Sequence, residues 1–313
     1  MDKVYIGEII REERVRQKVS QEKLCEEICS PVTLSRLENG AQPPSYPKVK
    51  ALLERLGLSD DLYKVVNSAD ELRAENLGKE VRAKVVAFEK AAGPEKKARW
   101  AEAWEATCRL EKFAKDEPSI RQRIIQDRCV LGIEQGPYSP AEQRELLLGA
   151  LKLTKPRFDP ERLDRSRYTQ EEISLINHIA VTYAWEGNSD PAINLYRQLL
   201  AYIQTHNQQL SRYANQLTMV AHNYARELDG VGDYRESARI AEIGRQACVL
   251  YDSQQFHPGL LHILAECQHY LGNDAESREL YLRAYYFYKA CEAGKNLDLL
   301  RRDVKEQLGF ELD

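Results

Sequence analysis

The side chains able to do chemistry in this chain suit recognition better than catalysis. The sequence holds no Gly-rich phosphate loop, HExxH, GxSxG or CxxC motif, so no enzyme activity and no cofactor are expected. Cys25 and Cys29 stand four apart, a spacing that can ligate metal. No second pair or nearby histidine completes such a site, so no metal is expected and Cys25 reads as a small core residue. What remains is of two kinds. Pro31, Val32, Ser35 and Arg36 share the outward side of one short segment. Farther on, asparagines, a glutamine and histidines (Gln126, Asn177, His222, Asn223 and His262) recur among apolar residues. An Asn or Gln amide carries both a donor and an acceptor, which lets it hold an extended peptide backbone whatever its side chains are.

The first group is positioned by the stretch Ser20–Gly40, SQEKLCEEICSPVTLSRLENG. Ser20 is a helix N-cap with Lys23 at the position a capping box gives to Glu. Leu24 and Ile28 then face inward, Cys29-Ser30 makes the turn, and Ser30 caps the next helix with Pro31 at its first position, where a missing N–H costs nothing. Leu34 and Leu37 face the core, and Asn39-Gly40 ends the helix in a pair suited to a left-handed turn. Two short helices with this turn and polarity are the form that lays a second helix into the DNA major groove. The alternative is a helical hairpin used only for packing.

The segment resembles the Xre/Cro-type helix-turn-helix family in "SQEKL…LSRLENG", in the first-helix residues Ile6, Ile9, Ile10 and Arg14, and in Pro44-Ser45 and the helix from Pro47 to Leu56. The resemblance covers about 60 residues. It implies a five-helix DNA-binding domain in which Gln21 grips a phosphate, aided by the helix N-terminus. It further implies that Ser30, Pro31, Val32, Thr33, Ser35 and Arg36 form the reading surface, with Arg36 on a base or phosphate and Val32 against a thymine methyl. Ser45 and Tyr46 are placed at the DNA backbone, and Arg14 pairs with Glu38.

At 313 residues, 30% charged and 43% hydrophobic, the chain has material for more than one globular domain. No apolar run reaches the roughly 18 residues of a membrane span. The charged N-terminus is unlike a signal peptide, and seven scattered cysteines form no disulfide framework. A cytoplasmic protein with no membrane partner is expected. The net charge is −4 and acidic and basic residues balance in the first 69 positions, so any DNA affinity must come from locally placed positive charge.

Apolar residues recur at spacings of three and four almost throughout, which predicts an all-α chain. Three segments align on turn glycines: GNSDPAINLY from Gly187, GDYRESARIA from Gly232 and GNDAESRELY from Gly272. Each has alanine seven before the glycine (Ala180, Ala225, Ala265) and a small residue five after it (Ala192, Ser237, Ser277). Tyr196, Ala241 or Tyr281 follows nine after the glycine. A weaker copy uses Gly136, with Cys129 and Ala141. Small residues let paired helices cross closely, and the glycine ends the first helix of each pair. The pattern resembles the tetratricopeptide repeat, although the glycine spacings need longer helices or connections than that repeat has; an irregular bundle is the alternative.

The resemblance implies a right-handed superhelix with a concave groove. Residues ten before each glycine point into it: Asn177, His222 and His262, with Gln126 in the weak copy. Asn223 is added because the loop Asp229–Gly232 reads as enlarged. Val181, Ala184 and Trp185 line pockets beside Asn177. A head of this kind on such a body resembles the Gram-positive peptide-pheromone receptors, PlcR-like members most closely, through INHIAVTYAWEGN and AHNYAREL, where Asn177 and Asn223 stand at the places of peptide-clamping asparagines. Ordinary hydrogen bonding at helix interfaces is the other reading of those two residues.

The expected organisation is a helix-turn-helix domain over 1–66, a linker over 67–78 and a sensor and dimerisation domain over 79–313. The expected function is a homodimeric transcription regulator binding a double-stranded DNA operator and switched by a short signalling peptide. Its rival is a repressor whose repeats serve only dimerisation or protein recruitment.

Overall fold

The computed structural model describes residues 6–41, 45–58, 69–91, 93–114, 117–132, 137–206, 210–291 and 294–312. Among these residues the fold is all-α, with fifteen α-helices and no strand. No described helix is long and apolar enough to cross a membrane. The chain divides into two compact units, one of residues 1–182 and 206–209, the other of 183–205 and 210–313.

The first unit opens with α1 (Ile6–Arg16), α2 (Gln21–Cys25), α3 (Pro31–Glu38) and α4 (Tyr46–Arg55). Ile10, Leu24, Leu34, Val49, Leu52 and Leu53 are fully buried at its centre, Cys25 among them, and Ile28 packs at the margin. Apolar side chains at helical spacing from four helices thus close on one core. Gly136, Pro44 and residues 59–68, where the weak repeat's turn and any fifth helix of this domain fall, lie outside the described residues. Next come α5 (Ala69–Lys90), α6 (Gly93–Ala114), α7 (Pro118–Leu131), α8 (Pro140–Lys152) and most of α9 (Gln170–Trp185). Helix α5 begins within the stretch 67–78 expected as a linker. Val81, Val85, Ala103, Ala106 and Leu110 join α5 to α6. The weak repeat copy departs from its pattern here: Ala141 is exposed, and Gln143, two positions on, is the buried residue. Capping of α8 by Ser139 with Glu142 sets that register.

The second unit contains all but the last residue of α10 (Ser189–His206), with α11 (Ala214–Gly230), α12 (Tyr234–Leu250), α13 (His257–Tyr270), α14 (Asp274–Ala290) and α15 (Gly294–Leu308). The aligned glycines close three identical turns. Gly187, Gly232 and Gly272 have φ of 76°, 83° and 83°, a left-handed geometry that favours glycine. The next residue's amide reaches back five positions each time: Asn188 to Tyr183, Asp233 to Leu228 and Asn273 to Gln268, at 3.0, 2.9 and 2.8 Å. The loop Asp229–Gly232 is therefore not enlarged, because α11 runs on to Gly230 and ends in the same turn as its counterparts. His222, not Asn223, is the register equivalent of Asn177.

The small residues sit where the helices cross. Ala225, Ala265, Ser237 and Ser277 are fully buried. Ser237 Oγ donates to the Ala225 carbonyl and Ser277 Oγ to the Ala265 carbonyl, each at 2.8 Å. A serine here gives both the close approach and a satisfied hydroxyl. Tyr281 fills the space beyond, and Leu300 and Val304 of α15 cover the last pair.

Ala265→Leu should overpack the α13–α14 crossing and lower unfolding free energy by about 3 kcal/mol in urea titration. Val249→Ala, at a position 62% exposed, should change it by under about 0.5 kcal/mol; equal effects would refute the crossing as the tight point.

Candidate functional site

The capped α3 stands outward from the first unit. Ser30 Oγ accepts the Thr33 amide at 3.1 Å and lies 2.9 Å from the Thr33 hydroxyl, and Pro31 occupies the first turn, as the residue types require. Leu34 and Leu37 are buried, at 0% and 4%. Ser30, Pro31, Val32 and Arg36 are exposed, with Val32 61% accessible, whereas Thr33 and Ser35 are partly covered. Ser45 precedes α4 with an extended backbone but makes no side-chain cap, and Tyr46 is half-buried. The turn differs from the expected Cys29-Ser30. Helix α2 stops at Cys25, and Glu27 takes a left-handed φ of 58°, so the reversal is spread over Glu26–Cys29.

Behind α3 an ion pair fixes its tilt. Arg14 Nε and Nη2 grip the two oxygens of Glu38 at 2.6 and 2.8 Å, and Arg14 Nη1 donates to the Val19 carbonyl at 3.1 Å. Gln21 Nε2 donates to the same Glu38 carboxylate at 2.6 Å. The residue expected to grip a phosphate thus also ties α2 to the end of α3. Burial pushes the Cys25 thiol up to about 11, in keeping with its place in the core.

A second, deeper ion pair was not anticipated. Arg55, at the end of α4 and 2% exposed, donates to the carbonyls of Leu24 and Glu26 at 3.1 and 2.5 Å and to Glu172 Oε1 of α9 at 3.1 Å. Thr154 Oγ1 donates to Glu172 at 2.6 Å, and the Thr169 amide reaches its other oxygen at 2.8 Å. Burial alone would raise the Glu172 pKa; Arg55, Lys155 and the two threonine bonds outweigh it and hold the carboxyl below its ordinary range. Lys155 lies 3.6 Å from Glu26, and burial draws its pKa down to about 8. The turn between α2 and α3 is therefore bolted to α9, the helix that also carries Asn177 and Val181.

The residues expected in a groove are placed unequally. In the first unit Asn177 is 4% exposed, while Gln126 and Val181 are half-buried. In the second unit Ala184 and Asn223 are half-buried and Trp185 is 60% exposed. His222 and His262 are engaged between successive first helices of the pairs, not turned to open solvent. The His222 ring lies over Gly259 of α13, where a Cβ would stand 2.6 Å from Nε2, and beside Phe256; its Nδ1 lies 3.1 Å from Asn223 Oδ1. His262 is 2% exposed, with Nε2 3.0 Å from Asp303 Oδ2 of α15 and its ring against Tyr281 and Tyr288. One turn on, Glu266 accepts Arg226 Nη1 at 2.6 Å. His262, Glu266 and Asp303 offer ligand atoms within 4.8 Å of one another, but Arg226 already supplies a positive charge to Glu266. Asp229, also within 3.5 Å of Arg226, is pushed up to about 6 by burial and by the Glu266 charge.

Residues 6–64 match the helix-turn-helix domain family. No curated protein sequence matches the chain. PlcR of Bacillus thuringiensis, solved in complex with the peptide PapR7 and DNA, is similar in fold, with a TM-score of 0.59 and 20% identity over 95% of this chain and 98% of that one. The competence regulator ComR from Streptococcus vestibularis, in complex with its cognate signalling peptide XIP, gives a TM-score of 0.52 and 17% identity over 96% and 98%. ComR from S. thermophilus, with DNA and its signalling peptide ComS, gives 0.50 and 15% over 95% and 97%. At these identities the likeness is one of fold.

Arg55→Ala leaves the Glu172 carboxylate buried without its partner and should destabilise the first unit by about 3–5 kcal/mol, whereas Arg55→Met with Glu172→Leu should recover most of the loss. Denaturant melts of both variants check this, and equal losses would refute the pairing as the cause. Burial draws His178 and His222 down to about 4, below the roughly 6.5 of an unfolded histidine. Their contribution is then complete above about 6.5 and is lost as pH falls toward 4. Urea midpoints should drop across that window and drop less in His222→Phe.

Proposed function

We propose that the chain is a sequence-specific DNA-binding transcription regulator, acting in the reducing cytoplasm, whose helical-repeat body binds a short signalling peptide that switches DNA binding or dimer geometry. One conjunction carries the reading. A matched helix-turn-helix domain presents an exposed, capped α3 face, in a chain whose fold agrees along nearly its whole length with peptide-bound and DNA-bound PlcR. Helix α3 enters the major groove, Arg36 reaches a guanine edge or a phosphate, and Val32 meets a thymine methyl. Gln21, Ser45 and Tyr46 serve the DNA backbone. Two copies in a homodimer present two α3 helices to half-sites about one helical turn or a multiple apart.

The peptide is held by Asn177 and Asn223, with Gln126, His222 and His262 beside them and Val181, Ala184 and Trp185 lining pockets. Its effect on DNA follows from differential binding to two states of the body. Asn177 lies on the same helix as Glu172, whose partner Arg55 grips the turn of the head. A shift of α9 on binding would be felt directly at α2 and α3.

A second reading has an observation of its own. Val249, Leu250 and Tyr286 are 62%, 71% and 65% exposed, and Asn177 and His262 are enclosed, which favours a body used for dimerisation alone.

A footprint upstream of the protein's own gene should be lost in Arg36→Ala, with affinity falling by about 1–3 kcal/mol. Protection unaltered by that change would overturn the reading face. Peptides fractionated from the producer's medium should raise the melting temperature of the wild type and not of Asn223→Ala; no stabilising fraction would favour the dimerisation reading.

A further inference from the structure

Between α8 and α9 the segment 152–167 carries Lys152, Lys155, Arg157, Arg162, Arg165 and Arg167 against Asp159, Glu161 and Asp164, a basic excess in a chain of net charge −4. It is a built element. Leu163 and Tyr168 are buried, Lys155 lies over the Tyr168 ring at 5.6 Å, and a 3-10 turn over Leu163–Arg165 is closed by backbone bonds from Arg162 to Asp159 and from Arg165 to Arg162. Arg157, Arg162 and Arg165 point outward and are exposed. Together with Asp159 and Ser166 they line one wall of a cleft whose other wall is Ser20, Glu22, Lys23 and Glu26, from the cap and outer side of α2.

The acids of the cleft are largely spoken for. Glu26 faces Lys155 at 3.6 Å, Asp159 accepts the Glu161 amide at 3.0 Å, and Glu22 is held below the ordinary carboxylate range by its own backbone amide and by Ser20. Arg162 lies 3.5 Å from Asp164, whereas Arg157 and Arg165 have no ion-pair partner among the described residues. When a second helix lies in the major groove, the first crosses the sugar–phosphate backbone. A duplex seated on α3 would therefore carry its backbone along α2 and past this cleft.

We propose that this cleft is a second phosphate-binding surface, by which the body itself grips the DNA backbone through Arg157, Arg162 and Arg165. The proposal rests on the DNA-binding reading given above. It answers a problem of charge: the head is electrically balanced, and non-specific DNA affinity comes almost wholly from cations that displace counterions from phosphates. The body supplies what the head lacks. Contacts of this kind position the protein on the duplex and carry no sequence information.

The test is the salt dependence of binding by the full chain to a fluorescent random-sequence duplex, measured by anisotropy for the wild type, Arg157→Ala/Arg165→Ala and Arg157→Lys/Arg165→Lys. Loss of two phosphate contacts should lower the slope of log K against log salt by about 1.8, so that the wild-type advantage shrinks by about tenfold between roughly 50 and 200 mM salt. The lysine pair should restore the slope, since a point charge is enough for a phosphate. Unchanged helical content and melting temperature would show that the alanine variant folds. A wild-type slope retained by a folded alanine variant would overturn the proposal alone. Failure of the wild type to bind any duplex would sink it together with the DNA-binding reading.

Discussion

The first unit is organised around the Arg55–Glu172 ion pair. A guanidinium and a carboxylate taken out of water together need partners for their donors and acceptors, and most of them are met here, Arg55 Nε being the exception. Here the partners come from four places: carbonyls of the α2–α3 turn, the hydroxyl of Thr154 after α8, the amide of Thr169 before α9, and the two charged groups themselves. Gln122 of α7 extends the chain of bonds through Thr154. Such a pair adds little net stability compared with apolar packing, but its geometry admits one arrangement of the elements. The orientation of α3 is thereby defined relative to α9 and not only to its own domain.

The second unit is held differently. Its constraint is a repeated closure of one helix onto the next, made by a left-handed glycine and, in two of the pairs, by a serine hydroxyl bonded to the carbonyl of a buried alanine. Regular crossings leave the residues ten before each glycine between successive first helices. His222 and His262 accordingly bridge to α13 and α15, and their burial favours the neutral ring at His222. Polar groups enclosed in this way are held in place by their neighbours.

The exposed side of α3 is chemically spare. Pro31 offers no donor, Val32 only methyl groups, and Thr33 is turned to the cap hydroxyl of Ser30. Arg36 is the single exposed side chain of that face with several donors. Laid against DNA as proposed, a face of this composition would discriminate by apolar contact and shape as much as by hydrogen bonds, and a balanced head would add little non-specific attraction. Positive charge lodged elsewhere in the same unit then matters more than it would beside a basic head.

The helices, the capped α3 with its exposed side and the three glycine turns were legible in the sequence, because each depends on contacts within a few residues or on a periodicity that any helix imposes; the Arg14–Glu38 pair, 24 residues apart, was legible only through the family resemblance. The enclosure of Asn177 and His262, the seat of His222 over Gly259 and the true register at Asn223 were not, since they depend on which face meets the following pair. Least legible was the Arg55–Glu172 contact: a basic residue in the last turn of α4 reads as an ordinary helix end. Its partner is 117 residues away, and only the folded chain decides that the two share one dry site.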